Sequence, residues 1–166
     1  MATRLLRCEF VLPLPPGQVF PFFADPRNLE RITPAALRFA IVPPVPGELR
    51  EGTLLDYRLR LNGVPFRWRS LISTWDPPHA FVDQMVQGPY AYWHHLHRFR
   101  AVPGGTLCED KVCWRLPLEP LGGIAAPLVR AQLRKIFTHR EDAIRAEFGA
   151  PRACGEAPAT IEFGRA

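Results

Sequence analysis

The apolar residues of this chain change period twice, and the positions of those changes leave few folds open. Residues 4–14, "RLLRCEFVLPL", read as a strand that stops at Pro15-Pro16. In "PGQVFPFFADPRNLERITP" the prolines at 21, 26 and 34 predict two short broken helices, because proline lacks a donor N–H and restricts the residue before it. From Leu37 to Pro117 the period becomes two. Leu55, Tyr57, Leu59 and Leu61 alternate with Asp56, Arg58 and Arg60; Phe66, Trp68 and Ile72 then share a face opposite Arg67 and Arg69. Asn62-Gly63 joins these runs and is the strongest short hairpin signal a sequence offers. "AFVDQMVQ", "YAYWHHLHRFRAV" and "TLCEDKVCWRL" supply three more strands, with turns at Gly88-Pro89 and Pro103-Gly104-Gly105. From about Leu121 to Phe148 the recurrence is helical: Ile124, Leu128, Val129, Leu133, Ile136, Phe137, Ile144 and Phe148 fall at helical spacing, and Gly149 and Pro151 end the run.

An antiparallel meander followed by one long amphipathic helix buries its apolar surface best when the sheet curves around the helix. The expected class is therefore α+β: a curved antiparallel sheet wrapped around a long C-terminal helix, with two short helices after the first strand. Such a sheet stands off from the helix along part of its length, so a cavity between them is the expected by-product. A chain of 166 residues fits one domain, read here as residues 1–149, with 150–166 expected to form a loose tail. The first residues lack the uninterrupted apolar stretch of a secretory signal and no later run reaches membrane-spanning length, so a cytoplasmic protein without a transmembrane segment is expected. Cys8, Cys108, Cys113 and Cys154 form no C-x-x-C pair, which argues against structural zinc and a disulfide framework.

The chemistry concentrates in "AYWHHLHRFR", residues 91–100. On a strand, Trp93, His95, His97 and Phe99 lie on one face, and His94, Leu96, Arg98 and Arg100 on the other. The arginines choose the outside, which turns His95 and His97 inward. The same parity turns Phe81, Asp83 and Met85 inward on the preceding strand, and Asp110, Val112 and Trp114 on the following one. Two imidazoles and two carboxylates thus face an otherwise apolar interior, where each needs a partner. Three readings remain open at this point. The four groups can brace the sheet as a satisfied network lining a binding cavity. They can be an acid/base site, with a carboxylate orienting an imidazole. H-x-H on a strand can also present two metal ligands to one side, but no spacing confirms a third, so no metal and no cofactor is expected.

The order of elements, together with "FADPRNLERITP", "FVDQMVQGPYAYWHHLHRF", "GGTLCEDKVCWRLP" and "LVRAQLRKIFTHR", resembles the START-related SRPBCC superfamily, in particular its bacterial branch of polyketide cyclase/dehydrase and lipid transport-like ligand-binding proteins. The likeness runs from about Arg4 to Phe148, and its most specific part is G-P-Y-x-x-W-x-H-x-H-x-F followed by D-x-V-x-aromatic. It implies a helix-grip fold and a hydrophobic cavity; it does not imply a reaction, since that superfamily spans carriers, cyclases and binding modules. Met85 stands where relatives often carry glutamine, and Trp114 where tyrosine is common. Both departures favour an apolar ligand.

The leading expectation is the binding, with or without transport, of a small hydrophobic ligand such as a lipid or polyketide between sheet and helix. Its wall is expected to include Tyr57, Leu59, Phe66, Trp68, Met85 and Trp93, with Phe99, Val112 and Trp114 on the later strands, Leu133 and Phe137 on the helix, and His95 and His97 among them. The alternative is a cyclase or dehydratase that uses His95 or His97 with Asp83 or Asp110 as acid and base. A third is a partner-binding module. Arg58, Arg60, Arg67, Arg69, Arg98 and Arg100 project outward with Lys111 and Arg115, against Asp56 and Glu109, and would suit an acidic protein or an anionic surface. Nucleic acid is the least favoured partner, because no stacking aromatics are interleaved among these arginines.

Overall fold

The computed structural model describes residues 3–118, 121–152 and 159–165. Strand β1 (Arg4–Leu12) leads into α1 (Pro16–Ala24) and α2 (Asn28–Arg31), then a single 3-10 turn, Ala35–Leu37. Six strands follow: β2 (Ala40–Ile41), β3 (Leu54–Leu61), β4 (Val64–Asp76), β5 (Ala80–Gln87), β6 (Tyr92–Val102) and β7 (Gly105–Arg115). A 3-10 turn at Leu121–Ala125 opens the long helix α3 (Ala126–Glu147), and β8 (Thr160–Arg165) closes the described chain. The strands make one antiparallel sheet in the order β2-β3-β4-β5-β6-β7-β1-β8. The result is the α+β architecture expected, a curved sheet with a long C-terminal helix against its inner face.

Local chemistry sets the register. Asn62 and Gly63 both adopt positive φ, 50° and 83°, and Leu61 pairs with Val64, so the β3–β4 hairpin closes in two residues. At the β6–β7 hairpin, Gly105 has φ 145°, and a Cβ there would stand 1.9 Å from the carbonyl oxygen of Leu12. Only glycine lets this hairpin lie against the end of β1. Register shifts in the β4–β5 pairing at Arg69/Ser70 and Ile72/Thr74 bend the sheet. The bend lets the inner faces of both flanks reach α3. Leu6, Val112, Trp114, Leu133 and Ile144 are at most 3% exposed in the resulting core.

Four expectations need correction. Pro21 does not break α1; it lies inside the helix on an exposed side, where water can take the carbonyl it leaves unpaired. Ile124 and Leu128 do not belong to the buried stripe of the long helix, since the chain enters it through a 3-10 turn and leaves them 80% and 62% exposed. Glu109 is not on open surface: it is 7% exposed beneath Arg7 and Arg98, at 3.8 and 3.7 Å.

The fourth correction concerns the tail, which does not stay loose over residues 160–165. β8 pairs with Arg4–Glu9 of β1 and turns Ile161 and Phe163 inward opposite Cys8 and Leu6, so the boundary expected after residue 149 does not separate this strand from the sheet. Glu141 on α3 ties the segment down. Its buried carboxylate accepts hydrogen bonds from Arg145 Nε (2.8 Å), Arg152 (3.1 Å) and the backbone N–H of Ala159 (2.7 Å). Cys8, Cys108 and Cys113 are free thiols, whereas Cys154 lies outside the described residues. Among the described residues no helix is long and apolar enough to cross a membrane.

Candidate functional site

Three adjacent strands set four ionisable groups side by side. Asp83 on β5 pairs directly with His95 on β6, and His97 pairs with Asp110 on β7. His95 Nε2 lies 2.8 Å from Asp110 Oδ1 on the diagonal, a hydrogen bond. His97 Nδ1 is also 2.8 Å from that oxygen, yet it is off the hydrogen-bond axis and counts among the sealed nitrogens without an aligned partner. The two imidazoles are 3.8 Å apart between centroids, and the His97 ring stacks on Phe81 at 4.2 Å. Asp110 makes one further contact, to Arg140 Nε on α3 at 3.9 Å.

Electrostatics separates the two carboxyls. Burial pushes Asp83 up, and the Ser70 hydroxyl, His95 and Arg140 reverse this only in part. Asp83 therefore favours its neutral, proton-bearing form more than an exposed aspartate would. Burial would also raise Asp110, but His95, His97 and Arg140 hold it well below the usual carboxylate range. For His97, burial first and the His95 charge second push the imidazole down to about 3 against the opposing pull of Asp110, so it stays neutral. Because an ionised Asp110 can only accept, the proton of its bond with His95 sits on Nε2. His95 also borders two cavities.

Two cavities meet at this cluster. The larger, ≈ 140 Å³, lies between β3–β6 and α3 and is walled mainly by rings and aliphatic side chains. The smaller, ≈ 60 Å³, extends under α1 and α2 beside Phe81 and His97. Asp83, His95, Tyr57 and Arg140 border both. Asp83 is half-buried in spite of its depth, because part of its surface faces this space.

Of the residues expected to line a ligand cavity, Tyr57, Leu59, Trp68, Trp93, His95, Leu133 and Phe137 border the larger space, and His97 borders the smaller. Phe66, Met85, Phe99, Val112 and Trp114 border neither. Phe99 is taken up by Phe20 and Phe23 of α1, at 5.5 and 4.7 Å between ring centroids. Val112 and Trp114 are fully buried in the core, while Phe66 and Met85 sit half-buried toward the margin. Asp110 stands behind the two histidines rather than on the cavity wall. Sequence reasoning missed Tyr90, Phe39 and above all Arg140. The signal for Arg140 was present: between Phe137 and Ile144 the apolar stripe of α3 is interrupted by Arg140-Glu141.

His95, His97 and Asp110 offer three potential metal-ligating atoms, all within 4.8 Å of one another. The guanidinium of Arg140 beside Asp110 opposes any cation there. On the outer face Arg58, Arg60, Arg67, Arg69, Arg98 and Arg100 are all exposed. Arg69 is taken up by Asp56, at 2.7 and 2.9 Å, and Arg98 approaches Glu109.

Comparison with known proteins agrees with this architecture. A protein from Thermus thermophilus superimposes with TM-score 0.68 at 19% identity, covering 88% of this chain and 97% of that one. A START superfamily protein from Mycobacterium smegmatis gives 0.62 at 10% identity, over 88% and 97%. A major latex-like protein from Panax ginseng gives 0.62 at 14%, over 89% and 99%. At these identities the likeness is one of fold. No curated protein matches the sequence at a significant level. Residues 12–145 match the family described as polyketide cyclase/dehydrase and lipid transport, and the chain belongs to that family.

Proposed function

We propose that the protein binds a small hydrophobic molecule, of the lipid, polyketide or isoprenoid kind, between its sheet and α3, and carries it or holds it for use. One observation supports this above the others: a ≈ 140 Å³ cavity whose wall is mainly aromatic and aliphatic, with Asp83, His95 and Arg140 as its ionisable groups. Apolar walls supply affinity through burial, and the few polar groups orient a carbonyl, hydroxyl or acid. The contacts we assign are Tyr57, Leu59, Trp68, Trp93, Leu133 and Phe137, with His95 beside them. Native mass spectrometry of protein purified without detergent tests the reading. A bound hydrophobic species is expected, lost in Ile136→Trp, which fills the cavity. A cavity that stays empty across a panel of hydrophobic metabolites overturns it.

The 2.8 Å bond from His95 to Asp110 favours a second reading, in which the ligand is also transformed. An imidazole oriented by a buried carboxylate, at the border of a cavity, can take a proton from a carbon acid next to a carbonyl. Asp83, in its proton-bearing form, and Arg140 can donate hydrogen bonds to the oxygen on which charge develops. Solvent deuterium exchange into a bound 1,3-diketone, lost in His95→Gln and retained in Arg69→Gln, would support turnover. Exchange equal to that of the free diketone would restrict the protein to binding.

A further inference from the structure

The buried face of α3 carries a guanidinium where its pattern calls for an aliphatic side chain. Arg140 lies three residues beyond Phe137 and seven beyond Leu133, on the stripe that faces the sheet. Its side chain is 12% exposed, too little for water to solvate the charge fully. Its Nε is sealed without a hydrogen-bond partner, and the one carboxylate within 4 Å among the described residues, Asp110 at 3.9 Å, is beyond hydrogen-bond length and already serves His95. Arginine brings five N–H donors in a flat fork, and a sealed donor left unused in an apolar interior is costly. Asp83 does not supply the missing partner, since its own Oδ1 is also sealed and unpaired. Yet Arg140 borders both cavities.

Taking as given that the larger cavity holds a hydrophobic ligand, we propose that this ligand is an aryl carboxylic acid, its ring among Trp68, Trp93, Tyr57 and Phe137 and its carboxylate on the fork of Arg140. The walls select the ring: Trp68 and Trp93 meet edge to face at 5.3 Å, and Tyr90 closes on Trp93 at 4.8 Å, a setting suited to a flat guest. The size agrees, because an engineered apolar cavity of roughly 150 Å³ already admits benzene. The fork selects the head group, since a carboxylate matches guanidinium in plane and can accept two of its N–H bonds. Charge closes the argument. Asp110, at 3.9 Å, balances the charge of Arg140 through space but leaves its Nε without an acceptor, which a ligand carboxylate supplies.

The test compares three guests that share one ring, sized to this cavity: benzoate, acetophenone and benzyl alcohol, each titrated calorimetrically into the full chain. Benzoate is expected to bind at least about tenfold more tightly than the alcohol, the ordinary yield of a charge-assisted hydrogen bond in a dry site. Arg140→Met, which restores an apolar stripe, should still bind the alcohol and lose the preference. Equal affinities in the wild type, tighter binding of the ketone, or a preference that survives Arg140→Met would each overturn this proposal alone. Failure of all three guests to bind would overturn the cavity reading and this proposal with it. The wild-type ratio decides by itself should the variant not fold.

Discussion

On the outer face of the sheet Asp56 accepts two hydrogen bonds from Arg69, at 2.7 and 2.9 Å; on the inner face Asp110 accepts one from His95 at 2.8 Å and lies as close to His97. The outer pair is half exposed and the inner cluster nearly sealed, with Asp110 4% exposed. Contact length therefore does not rank the two. In water the ions of the outer pair are solvated whether or not they meet, and salt screens what they gain. In the interior the same chemistry is compulsory, because a charge without partners has nowhere else to find them. Deletion separates the faces most sharply. Asp110→Ala strips His95 of its acceptor and Arg140 of its counter-charge, and is expected to lower stability by about 3–5 kcal/mol, the usual cost of breaking a buried ionic contact. Asp56→Ala should leave the urea midpoint close to that of wild type. Matching losses in the two denaturation curves would end the distinction.

Alternation along the strands made this two-faced design readable. Arg98 and Arg100 are exposed while His95, His97 and Phe99 are buried, as the period of two requires. The fold was legible for the same reason, since the change from period two to helical period marks where sheet ends and α3 begins. What escaped was whatever depends on distant segments meeting. "TIEFGR" is too short to declare itself a strand until β1 offers an open edge and Glu141 anchors the approach. Parity assigns a residue to a face but does not say whether a neighbour fills the space above it. Hence Phe99, turned inward as expected, meets α1 instead of the cavity. Arg140 was hidden by habit, because arginine on a helix is ordinarily read as solvent-facing.

A second way to sharpen the contrast is acid. His97 is pushed down to about 3 from an ordinary 6.5, so between those values the unfolded chain binds a proton that the folded one refuses. Stability must then fall as pH drops from about 6.5 toward 3. Asp110, whose folded value lies below its ordinary 3.8, adds a loss that begins only as pH falls through the unfolded value. His97→Phe retains the stack on Phe81 and removes the first effect. Near pH 5 its stability should depend less steeply on pH than the wild type's, by about 1.4 kcal/mol per pH unit, one proton's worth. Urea midpoints at pH 4, 5, 6 and 7 measure it, and parallel pH profiles would show that His97 is charged in the fold.

Asp83 works in the opposite direction and gives the smallest effect. Its folded value is raised, so above 3.8 the unfolded chain has released a proton that the folded chain still holds, and stability declines as pH rises through that interval. Asp83→Asn keeps the shape and removes the ionisation. It should therefore stabilise the protein at pH 7, by on the order of 1 kcal/mol once the loss of the Ser70 contact is offset, and change little at pH 4. The expected gain would mark Asp83 as a group that costs stability at the meeting point of two cavities. Thermal midpoints of the variant at the two pH values decide the matter. A midpoint at pH 7 below that of wild type would mean that the carboxylate is ionised and held by the very Arg140 donors that we reserve for a ligand.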